Sequence, residues 1–191
     1  MFAYDFDGIP EALSLNASIR HRFLRLVQTD PIVAKVTQEA DRLGAFRSIL
    51  LEFGEGRSSL SQAIATTQQR LDPTSSEYSF DKRVFAKNWA ERHVRTQVSR
   101  FYNQAMLEWL DELGRPTCYV PPSSREKPDS PCTLAYAGKL VEVRLLHRLL
   151  TINYREGNWS PEPIKIPDHP HCTHVVRPTG QDLMSLFAGT L

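Results

Sequence analysis

Residues 167–178 read PDHPHCTHVVRP, and three histidines and a cysteine fall between His169 and His174. Imidazole and thiolate are donors that suit borderline and soft metal ions, so metal binding is the first chemistry this stretch raises. In an extended segment, residues two apart share a face, which lets Cys172 and His174 converge on one point. Pro170 favours an extended or turning chain at His169, and that turn can bring its imidazole round. A fourth donor must come from afar, and Cys132 in DSPCT is the best candidate by type. Cys132, His169, Cys172 and His174 together would suit a tetrahedral, structural Zn²⁺. Against this, no C-x-x-C pair exists and the spacing matches no standard zinc finger. The plain alternative is that His169 and His171 are solvated loop residues and Cys172 is a small buried hydrophobe.

A second constellation is the basic stretch KRVFAKNWAERHVRTQVSR, residues 82–100. Lys82, Arg83, Lys87, Arg92, Arg95 and Arg100 are opposed there only by Glu91, with Trp89, Phe101 and Tyr102 interleaved or close by. Cations with aromatics between them can track a phosphate backbone. A solvated helix with its aromatics in the core has the same composition. Arg20, Arg22 and Arg25 in SIRHRFLR add modestly to the binding case. A Cys172 nucleophile would need surroundings that lower its pKa, which sequence does not display. A general base at His171 or His174, as in a small nuclease, rests on an isolated imidazole near a turn. There is no P-loop, no G-x-G-x-x-G after a strand, no G-x-S-x-G and no H-E-x-x-H. The chain is therefore read as not an enzyme.

The totals agree with an ordinary globular protein. The chain has 191 residues, 41% of them hydrophobic and 24% charged, and a net charge of +1. That is enough to bury a core, and the net charge gives no whole-molecule attraction to nucleic acid. No apolar run is long enough to span a membrane. The opening MFAYDFDGIPEALSL carries Asp5, Asp7 and Glu11 and does not read as a signal peptide. Three cysteines argue against a disulfide-stapled secreted domain and for synthesis in a reducing cytoplasm.

These candidates must be positioned by the elements around them. Residues 1–17 read as an irregular arm with a short amphipathic piece, and its acids as solvated. Residues 18–28 can begin a helix. Asp30 and Pro31 read as the cap and first position of the next, with Ile32, Val36, Ala40, Leu43, Phe46, Leu50 and Phe53 as its apolar stripe. Ser58 or Ser59 caps a shorter helix to about Leu71, and 72–76 is a loop. Residues 80–113 form the longest helical stretch, with a kink or break near 90–93, closed by Gly114 and Pro116. Five prolines between 116 and 131 then exclude a helix. TCYV (117–120) is β-prone. Residues 139–152 suit either a strand, from KLVEV, or a helix, from RLLHRLLTI. CTHVVRP reads as a short strand, and 181–188 as a final helical turn or two. The fold class expected is α+β, mostly α. A 1–17 arm and an 18–114 helical body would precede a 115–191 Pro-rich, irregular α+β unit holding the Cys/His cluster.

Three of these segments, in order, resemble the phage minor head proteins, also called head-morphogenesis or Mu F-like proteins. The family pattern has a helix reading R-T-E-V-x-R-x-Y-N-x-A, then D-x-x-x-C-x-x-C-x-x-L-x-G, then a closing H-P-x-C-x-C. Here Arg95-Thr96-Gln97-Val98-Ser99-Arg100-Phe101-Tyr102-Asn103-Gln104-Ala105 follows the first closely. Asp129, Cys132 and Gly138 follow the second loosely. His169-Pro170-His171-Cys172-Thr173-His174 follows the third, with His174 where the family often has its last Cys. One cysteine of the family's C-x-x-C is missing, so the ligand set implied is Cys132, His169, Cys172 and His174, with Cys118 in reserve. The resemblance spans about residues 85–178. It implies a virion component that works within a larger assembly, beside portal or capsid proteins, in head assembly, DNA packaging or delivery, with DNA as a further partner in some members. Arg95, Arg100, Tyr102 and Asn103 would be structural, with the arginines and Asn103 fixing the helix against the Cys/His unit. A stand-alone nucleic-acid-binding protein using residues 82–100 is the alternative.

Overall fold

The computed structural model describes residues 1–155 and 163–180. The expected helical turns at 181–188 lie outside the described residues. Among those described, the protein is α+β and mostly α, with seven α-helices and one two-stranded sheet.

The first residues are not a solvated arm. The Asp5 carboxylate accepts from the Asp7 and Gly8 amides and starts a 3₁₀ turn, Phe6–Gly8, which runs into α1 (Ile9–Leu15). Ala3, Phe6, Ile9, Ala12 and Leu13 are buried. Two backbone donors tie this stretch down: Ala3 N–H to the Tyr102 hydroxyl (3.0 Å) and Phe6 N–H to the Thr173 carbonyl (2.9 Å). Asp7 is likewise engaged, pairing with Arg125. Asn16 caps α2 (Ala17–Thr29) through the Ile19 amide.

Asp30 does not begin the next helix; it ends α2, with extended backbone (ψ 144°). Its carboxylate is already taken. Arg100 donates to it at 2.8 Å, Gln104 at 3.1 Å and Arg155 at 3.0 Å, so it cannot cap a following turn. Residues 31–39 instead run irregularly through one 3₁₀ turn, Lys35–Thr37, and α3 spans Ala40–Gly54. Ile32 and Val36 of the expected stripe still bury. Arg42, itself buried, holds this region to the 71–72 turn by donating to the carbonyls of Val36, Leu71 and Asp72. α4 (Leu60–Arg70) begins with a capping box between Ser59 and Gln62.

The break expected within 80–113 comes earlier, at Asn88, in the left-handed region (φ 62°). Residues 81–88 are turns, and α5 runs unbroken from Trp89 to Glu112. From Gln97 to Leu107 every residue of α5 is buried. A helix buried on all sides must be central, and α5 packs on α2, α4 and α7 (Val143–Arg155). Gly114 (φ 66°) turns the chain into β1 (Thr117–Val120). After the Pro-rich loop and α6 (Pro131–Tyr136), β2 (Lys139–Glu142) pairs antiparallel with β1, Thr117 opposite Glu142. Both readings of 139–152 hold in succession: β2 uses KLVE, and α7 the amphipathic run after it. CTHVVRP is not a strand and makes a single bridge, Arg177 to Tyr119. One apolar cluster runs from Ala3 to Val176, continuous across residues 17 and 114.

Two polar groups, Asp30 in this core and His93 at its edge, generate testable outcomes. Burial alone would raise the Asp30 carboxyl, but the Arg155 hydrogen bond, the Arg100 charge and the Gln104 amide hold it below its ordinary value. Arg100 is fully buried and Asp30 nearly so. Asp30→Asn strands that guanidinium and is expected to cost about 3–5 kcal/mol in denaturant unfolding; a loss under about 1 kcal/mol would show the pair to be dispensable. His93 stacks on Phe46 (centroids 4.2 Å apart), and burial pushes its imidazole down to about 4. The unfolded chain then takes up a proton below its ordinary value near 6.5 that the folded chain refuses until about 4. Stability is therefore full above about pH 6.5 and falls by about 1.4 kcal/mol per unit towards pH 4. His93→Phe should remove that part of the slope, read by melts from pH 7 to 4.5; an unchanged slope would contradict it.

Candidate metal centre

Three separated pieces of chain are brought together by the fold. The Pro-rich loop after β1 carries Glu126. Pro131, at the first position of α6, sets Cys132 in its first turn. His169 and Cys172 stand at the two ends of a tight turn closed by Cys172 N–H to the His169 carbonyl (3.0 Å). One donor atom from each of Glu126, Cys132, His169 and Cys172 lies within 4.8 Å of every other. This cluster could hold a metal ion.

The individual separations are informative. Cys132 Sγ is 3.8 Å from Cys172 Sγ and 3.6 Å from His169 Nε2. His169 Nε2 is 3.3 Å from Glu126 Oε1. The other Glu126 oxygen accepts from the Thr173 amide at 2.9 Å, which fixes the carboxylate from behind. The Cys172 thiol, donating to Cys132, is the main influence holding the Cys132 sulfur as thiolate, well below its ordinary range, with His169, His174 and Ser130 acting the same way. Cys172 is pushed up by the same contact and by burial. His169 is raised, first by its hydrogen bond to Cys132.

Three of the four ligands expected from sequence, Cys132, His169 and Cys172, are thus together. His174 is not among the converging four. It is buried beside Cys132, its Nε2 3.0 Å from the Thr133 hydroxyl and its Nδ1 without a partner. The chain at 172–176 is not a regular strand, so the two-residue rule does not aim His174 with Cys172. Glu126 takes the remaining corner. Its sequence signal was slight: a lone carboxylate six positions before Cys132 in a loop that prolines hold in place. Cys118 is buried under the sheet and donates to the Val141 carbonyl, away from the cluster. His171 is exposed.

The helix motif divides by role. Asn103 fixes α5 to the backbone that follows the cluster: its Oδ1 accepts from the Val176 amide (2.8 Å), and its amide reaches the His174 carbonyl (3.5 Å). Tyr102 holds the N-terminal residues through Ala3. Arg100 does not reach the Cys/His unit; it binds Asp30 and the Pro31 carbonyl. Arg95 lies 4.1 Å over the Phe6 ring. Of the cations read as phosphate contacts, Arg100 and Arg95 are so engaged. Lys82, Arg83, Lys87 and Arg92 are exposed.

Compared with known proteins, the chain matches no family model, no curated protein and no solved structure. Among the described residues, no helix is long and apolar enough to cross a membrane.

Asn103→Leu should leave the Val176 N–H buried and unpaired, a loss of about 1–3 kcal/mol. Faster hydrogen exchange at Val176 together with lower stability is the expected outcome; unchanged protection there would refute the anchoring role.

Proposed function

We propose that the cluster binds one structural Zn²⁺ and that the protein is a non-catalytic structural and interaction module, a minor head component of a phage particle. The separations of the donor atoms carry the zinc reading. A tetrahedral ion with bonds of about 2.3 Å to sulfur and 2.0–2.1 Å to nitrogen or oxygen spaces two sulfurs about 3.8 Å apart, sulfur and nitrogen about 3.6 Å, and nitrogen and oxygen about 3.3 Å. Three of the cluster's six separations are 3.8, 3.6 and 3.3 Å, and all six are within 4.8 Å. Two thiols, an imidazole and a carboxylate also suit zinc better than magnesium or calcium. When bound, the ion would tie the Pro-rich loop, α6 and the 169–172 turn together.

The phage reading rests on the three-segment resemblance. Its support is that Asn103 of the first segment holds the backbone of the third, while Cys132 of the second meets His169 and Cys172. The exposed cations of residues 82–92 favour a second reading, nucleic-acid binding, with Arg95 and Arg100 removed from its contact set.

Elemental analysis of purified, untagged protein should find about one zinc per chain, and chelation should lower the melting temperature. Cys172→Ser and Glu126→Ala should lose zinc, whereas His174→Gln should keep it. Retention of zinc by Glu126→Ala with loss in His174→Gln would restore the ligand set read from sequence. No zinc, and no shift on chelation, would remove the staple. For the particle role, the chain is expected to sediment with phage heads; recovery only outside them would overturn it.

A further inference from the structure

A cleft of about 510 Å³ opens between the start of α5 and residues 165–170. That volume suits a small organic molecule. Val33, Val36, Val84 and Trp89 give it an apolar wall. Trp89 is braced edge-on by Phe85, with centroids 5.2 Å apart at 88°. Pro131 and His169 border both this cleft and the metal cluster, but the other ligands do not line it.

Its charges are one-sided. Lys165, Arg83 and Arg92 line it against one carboxylate, Asp168. Lys165 is only 5% exposed, and its Nζ stands 3.7 Å from Asp168, beyond hydrogen-bond length. Asp168 is within ion-pair reach but accepts no hydrogen bond from this ammonium, so its donors remain available to an anion in the cleft. Arg83 and Arg92 are exposed, and Arg83 is also paired with Asp81 (3.3 Å). His93, also on the wall, has a buried Nε2 with no partner, and Asn88 gives the first turn of α5 no side-chain cap.

We infer that this cleft binds an aromatic organic anion with the form of a nucleotide. The phosphate meets Lys165 and the two arginines, which recognise it by charge-assisted hydrogen bonds. The base lies against Trp89 and the valines, a contact that any base can make. A free nucleotide and the phosphorylated end of a nucleic-acid strand present the same chemistry. The inference does not depend on the identity of the ion.

The test is calorimetric titration of the full chain, as purified, with 5′-AMP, adenosine, inorganic phosphate and a 5′-phosphorylated oligoadenylate. The expected result is one site per chain, with 5′-AMP or the oligonucleotide binding at least about tenfold more tightly than adenosine or phosphate. Lys165→Met and Arg92→Gln should each weaken binding, the former by about tenfold or more; Arg92 is exposed, so its variant tests the site even if the Lys165 variant fails to fold. Ligand should quench tryptophan fluorescence in the parent and much less in Trp89→Phe. Equal affinity for 5′-AMP and the oligonucleotide supports a free nucleotide, and a large preference for the oligonucleotide supports a strand end. No binding of either at about 1 mM, or full affinity in both the Lys165 and Arg92 variants, would falsify the inference.

Discussion

A single carboxylate holds the helical body in register. Asp30 ends α2, receives Arg100 from the centre of α5 and receives Arg155 from the end of α7 through two nitrogens. The three helices are thereby fixed at a buried point, beside more exposed ion pairs of α2 with α5 (Arg22–Glu112, Arg25–Glu108) and of α7 with α5 (Arg144–Asp111). The arrangement is costly to assemble, because both charges leave water. Hydrogen bonds offset much of this: Arg100 also donates to the Pro31 carbonyl and Gln97, and Gln104 adds a donor to Asp30, while Arg100 Nε is buried without a partner. The Arg100 guanidinium further lies over Phe101 and Tyr154. A node with this many directed bonds favours one packing among the many that apolar surfaces alone would allow.

The C-terminal unit hangs from the same helix by a different device. Backbone from 172 to 177 crosses α5 without forming a sheet, so its polar groups need partners individually. Asn103 supplies two, Tyr119 supplies a reciprocal pair, and Phe6 and Glu126 share Thr173. The Glu126, Cys132, His169 and Cys172 cluster joins this lattice through Glu126, and His169 also borders the cleft. The unit therefore shares the body's core and has little apolar substance of its own, which is the circumstance in which a metal staple stabilises most.

Local chemistry made much of this legible. A cap at Ser58 or Ser59, the Gly114 and Pro116 stop, the TCYV strand and three of the cluster's donors could all be read from residue type and spacing. Several of the failures had one cause, competition from a distant partner. Asp30 and Pro31 have the form of a helix start, but Arg100 and Arg155, far along the chain, claim the carboxylate. Arg100 counts as a surface cation until its counter-charge is located. Glu126 resembles any solvated loop acid until Thr173 arrives behind it. The N-terminal stretch reads as an arm because Asp5, Asp7, Gly8 and Pro10 interrupt its apolar residues, and long-range contacts to Tyr102 and Thr173 draw it into the core.

Those N-terminal contacts bear on how the chain is made. Phe6 bonds to Thr173, near the other end of the described chain. Synthesis proceeds from the N-terminus, so Phe6 emerges long before its partner exists, and Ala3 must wait for Tyr102. Closing so large a loop carries an entropic cost that local helix formation does not. Once α5 is made, Tyr102 and Arg95 can receive Ala3 and Phe6, but the Phe6 N–H has no partner until Thr173 is added. A chain stopped short of residue 173 therefore leaves this clasp half closed.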